Sequence, residues 1–117
     1  MRILLSTLNE LLDPFNCPIW GEIVTREDVQ KALKEGRLVD DSNSSDHAGR
    51  VAYFVVNKPV KPIQIDVGID GISNPAWIID DGNHRLLGSI FAGRKFITAD
   101  VSGCCNLIKS MFETFKS

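Results

Sequence analysis

The residues with the most chemical capacity lie together at Asp80-Asp81-Gly82-Asn83-His84-Arg85. An apolar run, Ala76 to Ile79, leads into them, and Leu86, Leu87, Ile90 and Phe91 follow at helical spacing. The segment therefore predicts a strand, a turn and a helix. Gly82 lets the backbone turn sharply or approach a ligand closely. The first N–H groups of a helix lack internal acceptors, and the helix dipole makes that end positive. Such an end suits a phosphate. Arg85 adds a fork of donors that binds phosphate bidentately. His84 adds a donor or a proton acceptor near neutral pH. Asp80 and Asp81 are candidates to hold Mg²⁺ beside phosphates. Each residue also has a structural use. Gly82 serves a turn, Asp81 a helix cap, His84 a carbonyl partner and Arg85 a carboxylate partner. Spacing alone does not choose between these uses.

Other residues carry weaker signals. Trp77 suits base stacking or the core, and Trp20 suits packing over a sheet or rimming a pocket. His47 lies in the polar run Asp40 to Gly49, DDSNSSDHAG, which predicts an exposed, mobile loop with a solvated histidine. Arg50, Lys58 and Lys61 form a small basic cluster that neighbouring aspartates and the net charge mark as ordinary surface. Arg94 and Lys95 follow a helix end, where positive charge is favourable. Cys17, Cys104 and Cys105 show neither a Cys-x-x-Cys pair nor a disulfide spacing, so they are expected as free thiols in a reducing cytoplasm.

The elements that must position these residues read as follows. Leu4, Leu5, Leu8, Leu11 and Leu12 make a helical stripe that Asp13-Pro14 stops. Thr25 caps a helix with Glu27 and Asp28 in its first turn and Gly36 at its end. Arg50 to Asn57, rich in aromatic and β-branched residues, predicts a strand. Ile63, Ile65, Val67 and Ile69 alternate with polar residues, Asp70 included, and predict another. Gly71 to Pro75 is a turn, and Ala76 to Asp80 a short buried strand. The motif helix ends at Gly93, Phe96 to Val101 returns as a strand, and a last helix carries Leu107 to Phe115. This order predicts a compact α+β domain with a small mixed sheet and flanking helices. Residues 1–45 form a helical N-terminal part, 50–103 the core with the motif, and 104–117 the C-terminal helix.

The chain has 117 residues, 44% hydrophobic and 24% charged, which suits one globular domain. Thirteen Lys and Arg against 15 Asp and Glu leave a net charge of -2, so nothing global draws it to nucleic acid. No apolar run approaches the roughly 20 residues of a membrane span. The N-terminus lacks the cleavage pattern of a signal peptide.

Asp81-Gly82-Asn83-His84-Arg85, followed by Leu-Leu-Gly-Ser-Ile-Phe-Ala-Gly-Arg and Phe-Ile-Thr-Ala-Asp-Val, resembles the signature of the ParB/sulfiredoxin superfamily. The resemblance covers roughly residues 50–103. It implies that Gly82, Asn83, His84 and Arg85 contact nucleotide phosphates and that Asp81 orients the turn or holds a metal-bound water. Sulfiredoxins carry their catalytic cysteine where this chain has Asn83, so that chemistry is not expected. ParB proteins bind CTP and add a helix-turn-helix region, for which this chain ends too soon. Free-serine kinases of the same fold read Asp-Gly-His-His-Arg and need a glutamate from the N-terminal part, for which Glu22 is the candidate. The resemblance thus implies a phosphate site for ATP, ADP or CTP with Mg²⁺, serving NTP hydrolysis or phosphoryl transfer. A non-catalytic regulatory module of plasmid or phage type, with a protein partner, and a metal-dependent nuclease are the alternatives.

Overall fold

The computed structural model describes residues 1–69, 71, 72 and 75–113. Four strands form one mixed sheet: β1 (Arg2–Leu4), β2 (Ile63–Asp66), β3 (Ile79–Asp81) and β4 (Phe96–Ser102). Their order across the sheet is β1-β4-β2-β3. The central pair, β2 and β4, is parallel, with Ile63 opposite Ala99 and Ile65 opposite Val101. The outer strands run antiparallel to their neighbours. The helices are α1 (Leu5–Leu12), α2 (Arg26–Lys34), α3 (His47–Val56), α4 (Asn83–Phe91) and α5 (Cys105–Ile108), the last continuing into a π turn over Lys109–Glu113. The expected α+β class is the observed one. Among the described residues no helix is long and apolar enough to cross a membrane.

Alternation along β2 and β4 gives the sheet two different faces. Ile63, Ile65, Ile97 and Ala99 are buried, while Gln64, Phe96, Thr98 and Asp100 are exposed. The buried face packs with Leu5, Leu8 and Leu86. A second apolar cluster, including Val29, Ala32, Val51, Ala52 and Leu87, lies among α2, α3 and α4. Helix α4 therefore sits between the sheet and the other helices, with Leu86 in one cluster and Leu87 in the other.

The expected strand at Arg50 to Asn57 is a helix. Ala48, Val51, Ala52 and Val55 fall on one helical face and all join the second cluster. Asp46 caps this helix by accepting from the Gly49 N–H at 3.0 Å. Burial of that face against α2 and α4 outweighs the β-propensity of Val, Tyr and Phe. Arg94 closes the other end by donating to the Phe54 and Val55 carbonyls at 2.6 and 3.0 Å. Its positive charge thus serves α3 as well as following α4.

Three other expectations shift. Arg2–Leu4 pairs with β4, so α1 begins at Leu5. Strand β2 ends at Asp66, and β3 spans Ile79–Asp81 instead of beginning at Ala76. Asp70, Ser73, Asn74 and Phe115 lie outside the described residues.

Candidate functional site

Helices α2 and α4 begin in opposite ways. Thr25 and Asp28 form a reciprocal capping box at the start of α2, with Glu27 and Asp28 against its positive end. The start of α4 has a glycine cap, no side-chain cap bond and no acidic residue in its first turn. Its third residue is Arg85, a cation at the end where the dipole disfavours one. Stability alone would select the α2 pattern. The α4 pattern leaves the helix end open to an anion.

Gly82 is required by its surroundings. Its φ is 97°, and a Cβ there would lie 2.5 Å from Ile63 Cγ2 and 2.8 Å from Arg85 Nη2. Gly82→Ala is expected to lower stability by about 2–4 kcal/mol, combining left-handed strain with overpacking. Urea unfolding measures this, and a loss below about 1 kcal/mol would mean that the turn relaxes freely.

A register break between β2 and β3 sets Asp81 opposite Gln64 and Ile79 opposite Ile65, leaving Asp80 as the extra residue. Asp80 and Asp81 are both exposed. Asp81 accepts from Arg85 Nη2 at 3.2 Å. The Arg85 side chain is only 14% exposed, and its buried Nε has no hydrogen-bond partner among the described residues. An unpaired buried donor is uncommon and unfavourable. The Arg85 side chain also lines a cavity.

That cavity, about 270 Å³, is lined by Gly82, His84, Arg85, Asp81, Arg50 of α3 and Lys61 from the segment before β2. Val39, Asp40 and Ser42 complete one wall. The polar stretch expected as a free loop is therefore part of the site. It is tied to α3 by the Val39 N–H donating to the Gly49 carbonyl at 3.1 Å. Three basic side chains and an uncapped helix end meet at one hollow with two carboxylates on its edge.

The remaining motif residues take other roles. The Asn83 side chain accepts from Trp77 Nε1 at 2.8 Å, so its amide is held outside the cavity wall. Trp77 packs against the sheet core. His84 is buried between rings: it stacks on Trp20 at 4.2 Å, and its Nε2 is 3.0 Å from His47 Nδ1. His47 is also stacked on Trp20, at 4.5 Å, which corrects its expected place in solvent. Burial pushes the His84 pKa down to about 3, assisted by Arg50, His47 and Arg85 and opposed by Asp81. His84 is therefore a neutral partner at pH 7 and supplies no positive charge to an anion.

Glu22 is exposed and lines a different hollow, with Asp28, Lys31 and His47. The structure does not bring it to the wall formed by Gly82 and Arg85. Among the described residues no group of three or more His, Cys, Asp or Glu side chains converges on a metal position. Asp80 is not on the cavity wall, so the expected Asp80 and Asp81 pair does not form a two-carboxylate site there. Among the described residues no cysteine is in a disulfide: Cys17 donates to the Leu12 carbonyl at 3.3 Å, and Cys105 is exposed at the start of α5.

Arg50, Lys61 and Asp40 were not expected at the site. A basic residue on the helix preceding the motif was the available signal, hidden by the strand reading of that segment. A more voluminous cavity, about 550 Å³, lies between β1 and Phe112 and carries none of the motif residues. Volume is a poorer guide here than chemistry. No protein-family model, curated protein or solved structure matches this chain.

Proposed function

We propose that this protein is a nucleotide-phosphate-binding domain of ParB/sulfiredoxin-like type, with the phosphates on the N-terminus of α4. The observation that carries the reading is the unpaired Arg85 Nε beside an uncapped helix end, with Arg50 and Lys61 on the same cavity. Cations gathered at a positive helix end repel one another, and a bound anion relieves that cost. The order of strand, glycine, polar pair, arginine and helix supports the same reading.

Binding without turnover fits the residues better than phosphoryl transfer. Glu22 faces another hollow, and the Nε2 of His84 is engaged by His47. The domain then acts as a regulatory module that senses a nucleotide. Mg²⁺ would enter with the nucleotide, its charge balanced by phosphates, with Asp81 and Asp40 the carboxylates on that wall.

Thermal unfolding with ATP, ADP, CTP and GTP, each with and without Mg²⁺, tests this. A ligand at a hundred times its Kd adds ~2.7 kcal/mol, or roughly 10 °C in a domain of this size. Arg85→Ala is expected to abolish that rise. Its own stability is expected to fall by about 1–2 kcal/mol, because the side chain is largely buried and its aliphatic stem loses packing, so the rise is read against the variant without ligand. No rise with any nucleotide would overturn the reading.

A further inference from the structure

We infer that the groove between β1, β4 and the Lys58–Lys61 segment is a binding surface for single-stranded nucleic acid. The groove, about 370 Å³, is lined by Arg2, Lys58, Lys61, Arg94, Lys95 and Phe96. No acidic side chain lines it among the described residues. Lys61 also lines the cavity at Gly82, so the two hollows share a wall. Together they gather seven of the thirteen basic residues and two of the fifteen acidic ones. A chain of net charge -2 thus carries one strongly positive stripe, and the aspartates near Lys58 and Lys61 in sequence do not share the groove.

The geometry favours a strand with accessible bases. Phe96 is 36% exposed on the open face of the sheet. The Arg2 guanidinium lies 4.6 Å from its ring centroid and the Lys95 ammonium 5.5 Å. An aromatic ring among cations provides stacking for bases and charge for the backbone. A duplex hides its base faces, and among the described residues no helix contributes a cation to this groove. The cations come from β1, the segment before β2 and the turn after α4. Arg94 contributes charge only, because its guanidinium is held by the carbonyls of α3. Arg2, Lys58, Lys61 and Lys95 remain for phosphates.

Fluorescence anisotropy of a labelled oligothymidylate of about twelve nucleotides tests the inference. Four phosphate contacts on a single strand give a slope of about -3 for log affinity against log salt. Binding should therefore weaken roughly 50-fold between 50 and 200 mM salt. Lys58→Glu with Lys95→Glu should weaken it more than tenfold and flatten the slope. Lys31→Glu with Lys34→Glu, the same charge change on α2, should leave it intact. Phe96→Leu keeps an apolar side chain on the strand and should weaken binding roughly fivefold or more through lost stacking. Circular dichroism confirms that each variant is folded. Absence of binding at 50 mM salt would overturn the inference. So would tighter binding of a duplex of equal length, or equal competition by inorganic polyphosphate with no effect of Phe96→Leu. The latter pair would mark a general polyanion surface. The nucleotide reading is scored by melting and this one by oligonucleotide anisotropy, so either can fail alone.

Discussion

Acidification from pH 6.5 to pH 4 is expected to remove about 2–3 kcal/mol of folding stability through His84 alone. The histidine titrates near 6.5 in the unfolded chain and near 3 in the folded one. Above pH 6.5 it is neutral in both states and exerts no penalty. Below that value the unfolded chain takes a proton that the folded protein refuses, so stability falls until pH reaches about 3. The interval sets a ceiling of roughly 5 kcal/mol, which residual solvent reduces. The physical cause is the ring's burial against Trp20, with Arg50, Arg85 and His47 around it. The Nε2 of His84 lies 3.0 Å from His47 Nδ1, so one ring nitrogen donates to the other there. Urea unfolding of wild type and His84→Phe at pH 7.5, 6.5, 5.5 and 4.5 measures the effect. The wild type should lose stability steeply over this range and the variant should lose less. Parallel losses would show that His84 is not the group responsible. An anion bound beside Arg85 should lessen the wild-type loss, because it favours the charged ring.

Leu86→Ala and Leu87→Ala are each expected to lower stability by about 2–5 kcal/mol, a large share of the roughly 5–15 kcal/mol of a typical domain. Both leucines are fully buried and adjacent, yet they belong to different clusters. Leu86 faces the sheet and Leu87 faces α2 and α3, so neither cavity can be filled from the other side. The crossing of α3 and α4 is also too close to adjust inward. A Cβ on Gly88 would lie 2.6 Å from Phe54 Cβ and 2.9 Å from the Val51 carbonyl oxygen. Chemical denaturation of the two variants checks this. A loss below 1 kcal/mol in either would mean that α4 is not held between two packed layers. Both variants should also weaken any nucleotide-induced rise in melting temperature, since α4 positions Gly82 and Arg85.

Much of this was legible in the chain by itself. The strand, Gly82 turn and helix could be read because a change from apolar run to helical spacing across one glycine leaves few alternatives. The Thr25 cap and the alternation of Ile63 with Ile65 were equally local. The α+β class followed from such local patterns. Segment 47–56 was misread because intrinsic propensity and burial disagree there. Val, Tyr and Phe favour a strand, and only the packing of Ala48, Val51, Ala52 and Val55 against two other helices decides for a helix.

The site divides in the same way. Gly82 and Arg85 were visible because their roles depend on the turn in which they sit. Arg50, Lys61 and Asp40 were not, because their contribution depends on which distant segments meet at that turn. Glu22 looked available to the motif until the fold turned it toward another hollow. The pairing of His47 with His84, 37 residues apart, is likewise a product of packing. Charge shows the difference most clearly. Summed along the chain the net charge is -2, a sum blind to position. Position is set by the fold: pairing of β1 with β4 and of β4 with β2 brings Arg2, Lys58, Lys61, Arg94 and Lys95 to one groove, and the packing of α3 on α4 sets Arg50 and Arg85 at the hollow that adjoins it.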